Sequence, residues 1–336
     1  MPSAIEAHDL AKTFKGDVRA LDGVSFAVEE GSVFGLLGPN GAGKTTVVRI
    51  LTTILRPDSG SARVLGHDVA REPELVRSLF GLAGQYAAVD ENLTGRENLR
   101  MIGRLNHLDR PVAARRAAEL LDQFHLSDAA DRTLKTYSGG MRRRLDLAAA
   151  LVASPSVLFL DEPTNGLDPQ SRLDLWEVIE GLVARGTTVL LTTQYLEEAD
   201  RLASHVAVVD HGRVISQGAP AELKARLGAT VLEIGLSDPG TAERTAAALA
   251  SISQKQPHVL GSSVEVPIDG GPRTAMDALR VLDQYDIEPV TFTLREPSLD
   301  DVFLALTGRA TEREPAGDTD SAGQSKKASR RAGARR

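Results

Sequence analysis

The stretch Val33-Phe34-Gly35-Leu36-Leu37-Gly38-Pro39-Asn40-Gly41-Ala42-Gly43-Lys44-Thr45-Thr46 decides the fold class. Its first five residues read as a short apolar strand, the next six as a glycine-rich loop, and a helical pattern is predicted from Lys44 to Leu55. The order Gly38-x-x-x-x-Gly43-Lys44-Thr45 is that of a phosphate-binding loop. Glycines let the backbone wrap and aim several N–H groups at phosphate oxygens, and the positive end of the following helix adds to the attraction. The Lys44 ammonium suits β- and γ-phosphates, and the Thr45 hydroxyl suits Mg²⁺. A glycine turn without a nucleotide would leave the strand before it and the helix after it unexplained.

Working outward, Arg56-Pro57-Asp58-Ser59-Gly60 is a breaker cluster that must end the helix, and a strand is predicted over Ser61–Val69. Gly95–Asp131 is rich in Ala, Leu and Arg with helical spacing. Strands and helices then alternate: Val157–Leu160, Gln170–Ala184, Thr188–Thr193, Tyr195–Ala203. Apolar strands buried on both faces imply a mostly parallel α/β sheet. The character changes at Leu227-Gly228. From Thr230 the predicted order is strand, helix (Thr241–Ser251), two strands split near Gly261-Ser262, helix (Thr274–Tyr285), strand (Pro289–Leu294) and a short last helix. That βαββαβ order belongs to a split βαβ, ferredoxin-like unit. The expected organisation is residues 1–228 (with a helical subdomain about 86–150), a small α+β domain 229–308, and a disordered basic tail 309–336.

Composition bounds the possibilities. The chain has 336 residues, 42% hydrophobic and 25% charged, with no cysteine. That excludes disulfides, a thiol nucleophile and Cys-ligated metal sites. No apolar run reaches membrane-spanning length, and the stretch near Leu147–Leu160 is cut by Ser154-Pro155-Ser156. Acidic residues stand where a signal peptide would be apolar, so a chain neither secreted nor membrane-spanning is expected. Net charge is −7; residues 309–336 carry +4, leaving −11 on the rest. So acidic a body is a poor match for nucleic acid, and no such partner is expected. The basic tail reads as a solvated end, with membrane attraction as the alternative.

Two further stretches carry chemistry. Val157–Thr164, VLFLDEPT, is a buried strand that presents Asp161 and Glu162 at its carboxyl end. Alone, such a strand end reads equally as a surface turn; on one chain with the phosphate loop, Asp161 is placed to hold Mg²⁺, leaving Glu162 to polarise the attacking water. Thr136–Leu151, TYSGGMRRRLDLAAAL, puts Ser138-Gly139-Gly140 at a helix start, a second anion-binding end. One nucleotide needs one cradle. A head-to-tail dimer, each serine loop closing over the partner's nucleotide, accounts for both.

These motifs, in this order, resemble the ATPase subunits of ABC transporters: the phosphate loop, Gln85 before a helical insertion, Ser138-Gly139-Gly140, Asp161-Glu162, and Asn165-Gly166-Leu167-Asp168. The resemblance runs over roughly residues 3–225. Gly84–Leu99 (GQYAAVDENLTGRENL), LTTQYLEEAD and Glu296–Gly308 (EPSLDDVFLALTG) are similar to the daunorubicin/doxorubicin-resistance ATPases and extend the likeness into the small domain.

The resemblance implies ATP and Mg²⁺ as cofactors. It implies phosphate and metal contacts from Gly38, Pro39, Asn40, Gly41, Ala42, Gly43, Lys44, Thr45 and Thr46, with Thr45, Gln85 and Asp161 on the metal. Glu162 would be the general base, Gln85 would touch metal or water and sense the permease, and Ser138, Gly139 and Gly140 would reach the γ-phosphate in trans. Asp168 would link the two subunits. Phe14, in KTFKG, falls where the family stacks a ring on adenine; the alternative is a half-buried strand aromatic. Gln194 stands where the wider superfamily has His. Its amide can position phosphate but cannot titrate near neutrality.

The implied function is the ATPase of an exporter of anthracycline-like drugs or other hydrophobic compounds. It would work as a homodimer on a separate membrane permease, peripheral at the cytoplasmic face of the membrane. Two other functions compete: a soluble ABC ATPase acting on nucleic acid or ribosomes, disfavoured by the 94 positions between Lys44 and Ser138 and by a single cassette, and an ATP-gated drug-binding protein. Asp300-Asp301 reads as a helix N-terminal charge pair. His67, His125 and His205 lack ligand spacing.

Overall fold

The computed structural model describes residues 2–84, 89–226, 230–253, 256–268 and 271–308. A long hairpin of β1 (Ser3–Phe14) and β2 (Val18–Glu29) precedes β3 (Val33–Leu37), whose five residues are all buried. β3 feeds the loop that opens α1 (Lys44–Leu51). This helix is shorter than the predicted Lys44–Leu55. Thr53 takes a φ of 60°, and the N–H groups of Ile54 and Leu55 both return to the Arg49 carbonyl at 2.9 Å. Left-handed closure of this kind satisfies the last carbonyls and ends a helix. The strand predicted over Ser61–Val69 is instead a hairpin of β4 (Ser59–Val64) and β5 (His67–Asp68), because Leu65 and Gly66 both take positive φ. Next come α2 (Pro73–Leu79) and β6 (Phe80–Ala83).

The helical stretch after Gly95 is two helices, α3 (Gly95–Leu105) and α4 (Arg110–Gln123). The break falls at His107, at a φ of 62°, and α4 restarts with Pro111 in its first turn, where the missing N–H costs nothing. Thr94 and Glu97 start α3 as a capping box: Thr94 Oγ1 accepts from Glu97 N at 3.1 Å and Glu97 Oε2 accepts from Thr94 N at 2.8 Å. The order then runs α5 (Gly139–Ala150), β7 (Val157–Asp161), α6 (Pro169–Val183), β8 (Thr188–Thr193), α7 (Leu196–Leu202), β9 (His205–Asp210), β10 (Arg213–Gly218) and α8 (Pro220–Ala225).

β2-β1-β4-β5 form an antiparallel sheet that covers one side of a six-stranded sheet ordered β10-β9-β3-β8-β7-β6, in which all but β10 run parallel. The period of two divides the central strands between two cores. Phe34, Leu36, Val157, Phe159 and Leu190 pack with α1 and the antiparallel sheet, while Val33, Leu37, Leu158, Leu160, Val189 and Leu191 pack with the helical side. Strands buried on both faces read as unbroken apolar runs for this reason.

The C-terminal part contains β11 (Thr230–Gly235), α9 (Pro239–Leu249), β12 (His258–Leu260), β13 (Ser263–Ile268), α10 (Pro272–Gln284), β14 (Thr291–Arg295) and α11 (Leu299–Thr307). Its sheet order, β12-β13-β11-β14 with every pair antiparallel, is that of the split βαβ unit. Leu232, Ile234, Val264 and Val266 face Ala242, Leu249, Ala278 and Leu282 of the two helices. α11 does not join that core. It carries Leu299, Val302 and Phe303 into the core on the helical side of the six-stranded sheet, beside Leu196, Ala199 and Leu202 of α7 and Leu223 of α8. The predicted break at 227–229 and the tail 309–336 lie outside the described residues.

Candidate active site

Parallel strands deliver their carboxyl ends to one edge of the sheet, where ligands of such sheets bind. Here that edge gathers Gly38 after β3, Asp161-Glu162 at the end of β7, and Gln194 after β8. The loop from Gly38 to Gly43 runs at φ 154° for Gly38, 81° for Gly41 and 111° for Gly43. A Cβ on Gly43 would stand 2.5 Å from the Ala20 carbonyl oxygen, so β2 presses the loop into shape as well.

Lys44 is 4% exposed, and its ammonium curls back under the loop. It donates to the carbonyls of Gly38 at 2.7 Å and Pro39 at 3.1 Å and stands 3.7 Å from Glu162 Oε1. Burial pulls its pKa below the ordinary lysine value, opposed by the charges of Glu162 and Asp161. The one cation of the cradle is thus already held against the carboxylate pair.

Asp161 Oδ1 accepts from Thr192 Oγ1 at 2.6 Å and from Thr45 Oγ1 at 3.3 Å. A hydroxyl and a carboxylate turned toward one another are hard oxygen donors, and Mg²⁺ is characteristically held by one or two protein oxygens with phosphates and waters completing the shell. Among the described residues no cluster of three or more His, Cys, Asp or Glu could hold a metal. Thr45 and Asp161 fit the sparse protein share of such a site.

Glu162 sits in the left-handed region, φ 50°. A non-glycine residue there stores on the order of 1–3 kcal/mol and persists only where its surroundings hold it. Two elements do so. Its N–H donates to the carbonyl of Thr192 at 3.0 Å and to its hydroxyl at 3.1 Å. From α5, the Arg143 guanidinium donates to the carbonyls of Pro163 at 2.7 Å, Gly84 at 2.5 Å, Glu162 at 2.8 Å and Asp161 at 3.2 Å. Burial lowers the Arg143 pKa, opposed first by Asp146. The Glu162 carboxylate is buried, and its Oε2 accepts from Asn165 Nδ2 at 3.3 Å.

The remaining sequence-predicted residues lie around this centre. Ser138 caps α5, accepting from Met141 N at 3.2 Å, and Gly139 opens a cleft of about 290 Å³ shared with Arg142, Arg143, Glu162 and Asn165. A Cβ on Gly140 would come within 2.8 Å of Ser171 Oγ. Asp168 is exposed and caps α6, accepting from Ser171 Oγ at 2.7 Å and Ser171 N at 2.9 Å, which holds its carboxyl below the ordinary range. Phe14 is 40% exposed at the end of β1. Gln194 is half-buried beyond β8. Gln85 lies outside the described residues. Asp301 is no metal ligand: it closes a capping box with Ser298 and pairs with Arg295, as a helix N-terminal acid should.

Sequence reasoning missed Thr192 and Arg143. Thr192 reads only as a strand threonine, and Arg143 is the middle of three consecutive arginines. Which arginine of such a run points inward is settled by the helix phase against the sheet.

The profile of the ABC transporter family matches residues 21–165, and that of the C-terminal domain of DrrA1-3-like ATP-binding proteins matches residues 218–307. Over 315 residues, 92% of this chain and 94% of the relative, the chain is 52% identical to the daunorubicin/doxorubicin resistance ATP-binding protein DrrA of Streptomyces peucetius. It is 47% identical over 314 residues to the doxorubicin resistance ATP-binding protein DrrA of Mycobacterium tuberculosis, covering 92% of this chain and 95% of that one. Among solved structures, an ATP-binding subunit of an ABC transporter superposes with a TM-score of 0.61 at 28% identity, over 67% of this chain and 93% of that one. The chain belongs to the DrrA-like ATP-binding subunits of ABC transporters and is an ATP-hydrolysing transporter subunit.

Proposed function

We propose that two copies close head to tail over two MgATP molecules and that the cycle drives export of a hydrophobic drug through a separate membrane permease, at the cytoplasmic face of the membrane. The observation that carries the hydrolysis site is the convergence of Lys44, Thr45, Asp161 and Glu162 within one hydrogen-bonded centre. In this reading, Lys44 and the amides from Gly38 to Thr46 hold the β- and γ-phosphates, Thr45 and Asp161, with Gln85, hold Mg²⁺, and Phe14 lies against adenine. When bound, Mg²⁺ neutralises phosphate charge.

Glu162 takes the proton of the attacking water. Asn165 holds one oxygen of the Glu162 carboxylate in place, and the other lies 3.7 Å from the Lys44 ammonium. Gln194 positions the γ-phosphate as a hydrogen-bond donor and carries no proton. Ser138, Gly139 and Gly140 serve the partner's nucleotide. Gly139, at that helix end, lines the cleft beside Glu162 and Asn165, and in this reading the second copy closes over it. Asp168 is exposed near the same surface and suits a contact between subunits. The drug-resistance relatives support a drug as cargo. Among the described residues no helix is long and apolar enough to cross a membrane, in keeping with a pore supplied by another chain.

Glu162→Gln tests the reading. The variant should bind MgATP as the parent does, lose turnover by roughly a hundredfold or more, and accumulate an ATP-dependent dimer in sedimentation. Undiminished turnover, above all with a gain of activity in Gln194→His, would move the base from Glu162.

A further inference from the structure

Behind the phosphate-facing edge lies a buried carboxylic acid that the chemistry above does not use. Glu198, on α7, is 0% exposed. Its Oε1 accepts from Trp176 Nε1 of α6 at 3.3 Å. Its Oε2 is buried with no donor in hydrogen-bonding geometry among the described residues, although the hydroxyls of Thr193 and Thr164 stand close enough to favour the charged form. Burying an acid with an oxygen unsatisfied is costly, and an apolar side chain would fill the space more stably.

The neighbours of Glu198 belong to the two loops that flank the site. Thr193 immediately precedes Gln194, while Thr164 opens the turn Asn165–Asp168. Arg172 of α6 joins the same two segments. Its guanidinium lies 4.6 Å from the centre of the Tyr195 ring, and its Nε donates to the Leu167 carbonyl at 3.2 Å. The charged groups acting on Glu198 are Arg172 from α6 and Arg143 from α5; β8 brings Thr193. α6, α7 and both loops therefore meet at one carboxyl group.

We propose that Glu198 is a positioning residue for ATP hydrolysis, coupling the loop that bears Gln194 to the Asn165–Asp168 turn through Trp176, Thr193 and Thr164. The inference rests on the roles assigned above to Gln194 and Asp168. Its consequence is that phosphate contact and subunit contact shift together.

Trp176 is the single tryptophan of the chain, so its emission reports on this junction. The experiment uses the full-length protein and MgATP, with Glu198→Leu and Glu198→Gln beside the parent. MgATP should change Trp176 emission in the parent. Glu198→Leu should bind MgATP within about twofold of the parent, lose that change, and lower kcat roughly tenfold. Glu198→Gln keeps an acceptor for the indole and should restore most of both. Should Glu198→Leu fail to fold, Trp176→Phe removes the indole donor at similar bulk and should show the same loss of kcat. A parent that hydrolyses MgATP with unchanged emission overturns the proposal alone, as does an unchanged kcat in Glu198→Leu or in Trp176→Phe. A parent that neither binds nor hydrolyses MgATP overturns it together with the reading of the site.

Discussion

Thr192 donates its hydroxyl to Asp161 Oδ1 at 2.6 Å, and the two residues are direct partners in the parallel ladder of β7 and β8. The carboxylate is therefore oriented from a neighbouring strand, and its donor lies 31 positions away in sequence. The same threonine receives the Glu162 N–H on its carbonyl, so one residue of β8 supports both acids of the site.

Thr192→Val keeps the shape of the side chain and removes the donor. It should cost about 1 kcal/mol of stability and raise the Mg²⁺ needed for half-maximal ATPase by roughly tenfold. Mg²⁺ titration of activity and a denaturation curve measure the two effects. An unaltered Mg²⁺ dependence would mean that Asp161 needs no orienting partner.

Two glycines of the phosphate loop should respond differently. A Cβ on Gly38 would sit 2.2 Å from the Val209 carbonyl oxygen, whereas one on Gly41 would meet no atom of the described residues within 4 Å. Gly41→Ala should therefore cost only its left-handed backbone strain, about 1–2 kcal/mol. Gly38→Ala should displace the loop from β9 and lose both ATP binding and more of the melting temperature. Parallel ATP titrations and thermal melts decide the order, and equal losses would contradict it.

Arg295 fastens α11 to the small domain. It pairs with Asp301 at 2.6 Å and Glu265 at 2.8 Å, with Glu233 farther at 3.4 Å. Arg295→Met removes the cation shared by the largely buried Glu265 and Asp301 and should cost about 3–5 kcal/mol. Hydrogen exchange should rise first in α11. Burial alone would push the Asp301 carboxyl up, but Arg295 and the Ser298 N–H outweigh it, and its pKa ends below the ordinary value. Such a group contributes fully above the ordinary carboxylate pKa, and the contribution is lost as pH falls through the depressed one. Protection of α11 should therefore be flat at neutral pH and collapse under acid below about pH 4.

Glu198 has the opposite sign. Burial raises its pKa to about 7, against the pull of Thr193, Trp176, Thr164 and Arg172. Its contribution is complete below the ordinary glutamate range and is lost as pH rises through about 7. Relative to Glu198→Gln, which does not titrate, the parent should lose on the order of 3 kcal/mol between pH 5 and pH 8. Melting curves of the two proteins across that range test it; a constant difference would refute it.

Much of this protein was legible in its sequence because the informative signals are local. Strand, glycine loop and helix follow one another from Val33, and their physics acts among residues within a dozen positions. The apolar runs ending in Asp161 and Thr193 announced a doubly covered parallel sheet, and the βαββαβ order after Thr230 announced the topology of the small sheet. Boundaries were less legible: positive φ at Thr53, at Leu65 and at His107 stopped a helix, turned a strand and split a helix. At Thr53 and Leu65 a left-handed conformation has no compositional mark, and at His107 the mark is only the modest preference of histidine for that region.

What only the tertiary structure decided depends on contacts between distant segments. Thr192 beneath Asp161, Arg143 across four carbonyls, Glu198 against Trp176, and α11 in the core of the larger unit all join residues from different elements. Sequence alone specified which chemical groups the chain carries and their local spacing, since those follow from composition and periodicity. Strand order and helix phase set which groups meet in the dry interior, where a lone polar atom costs most and a partner therefore matters most.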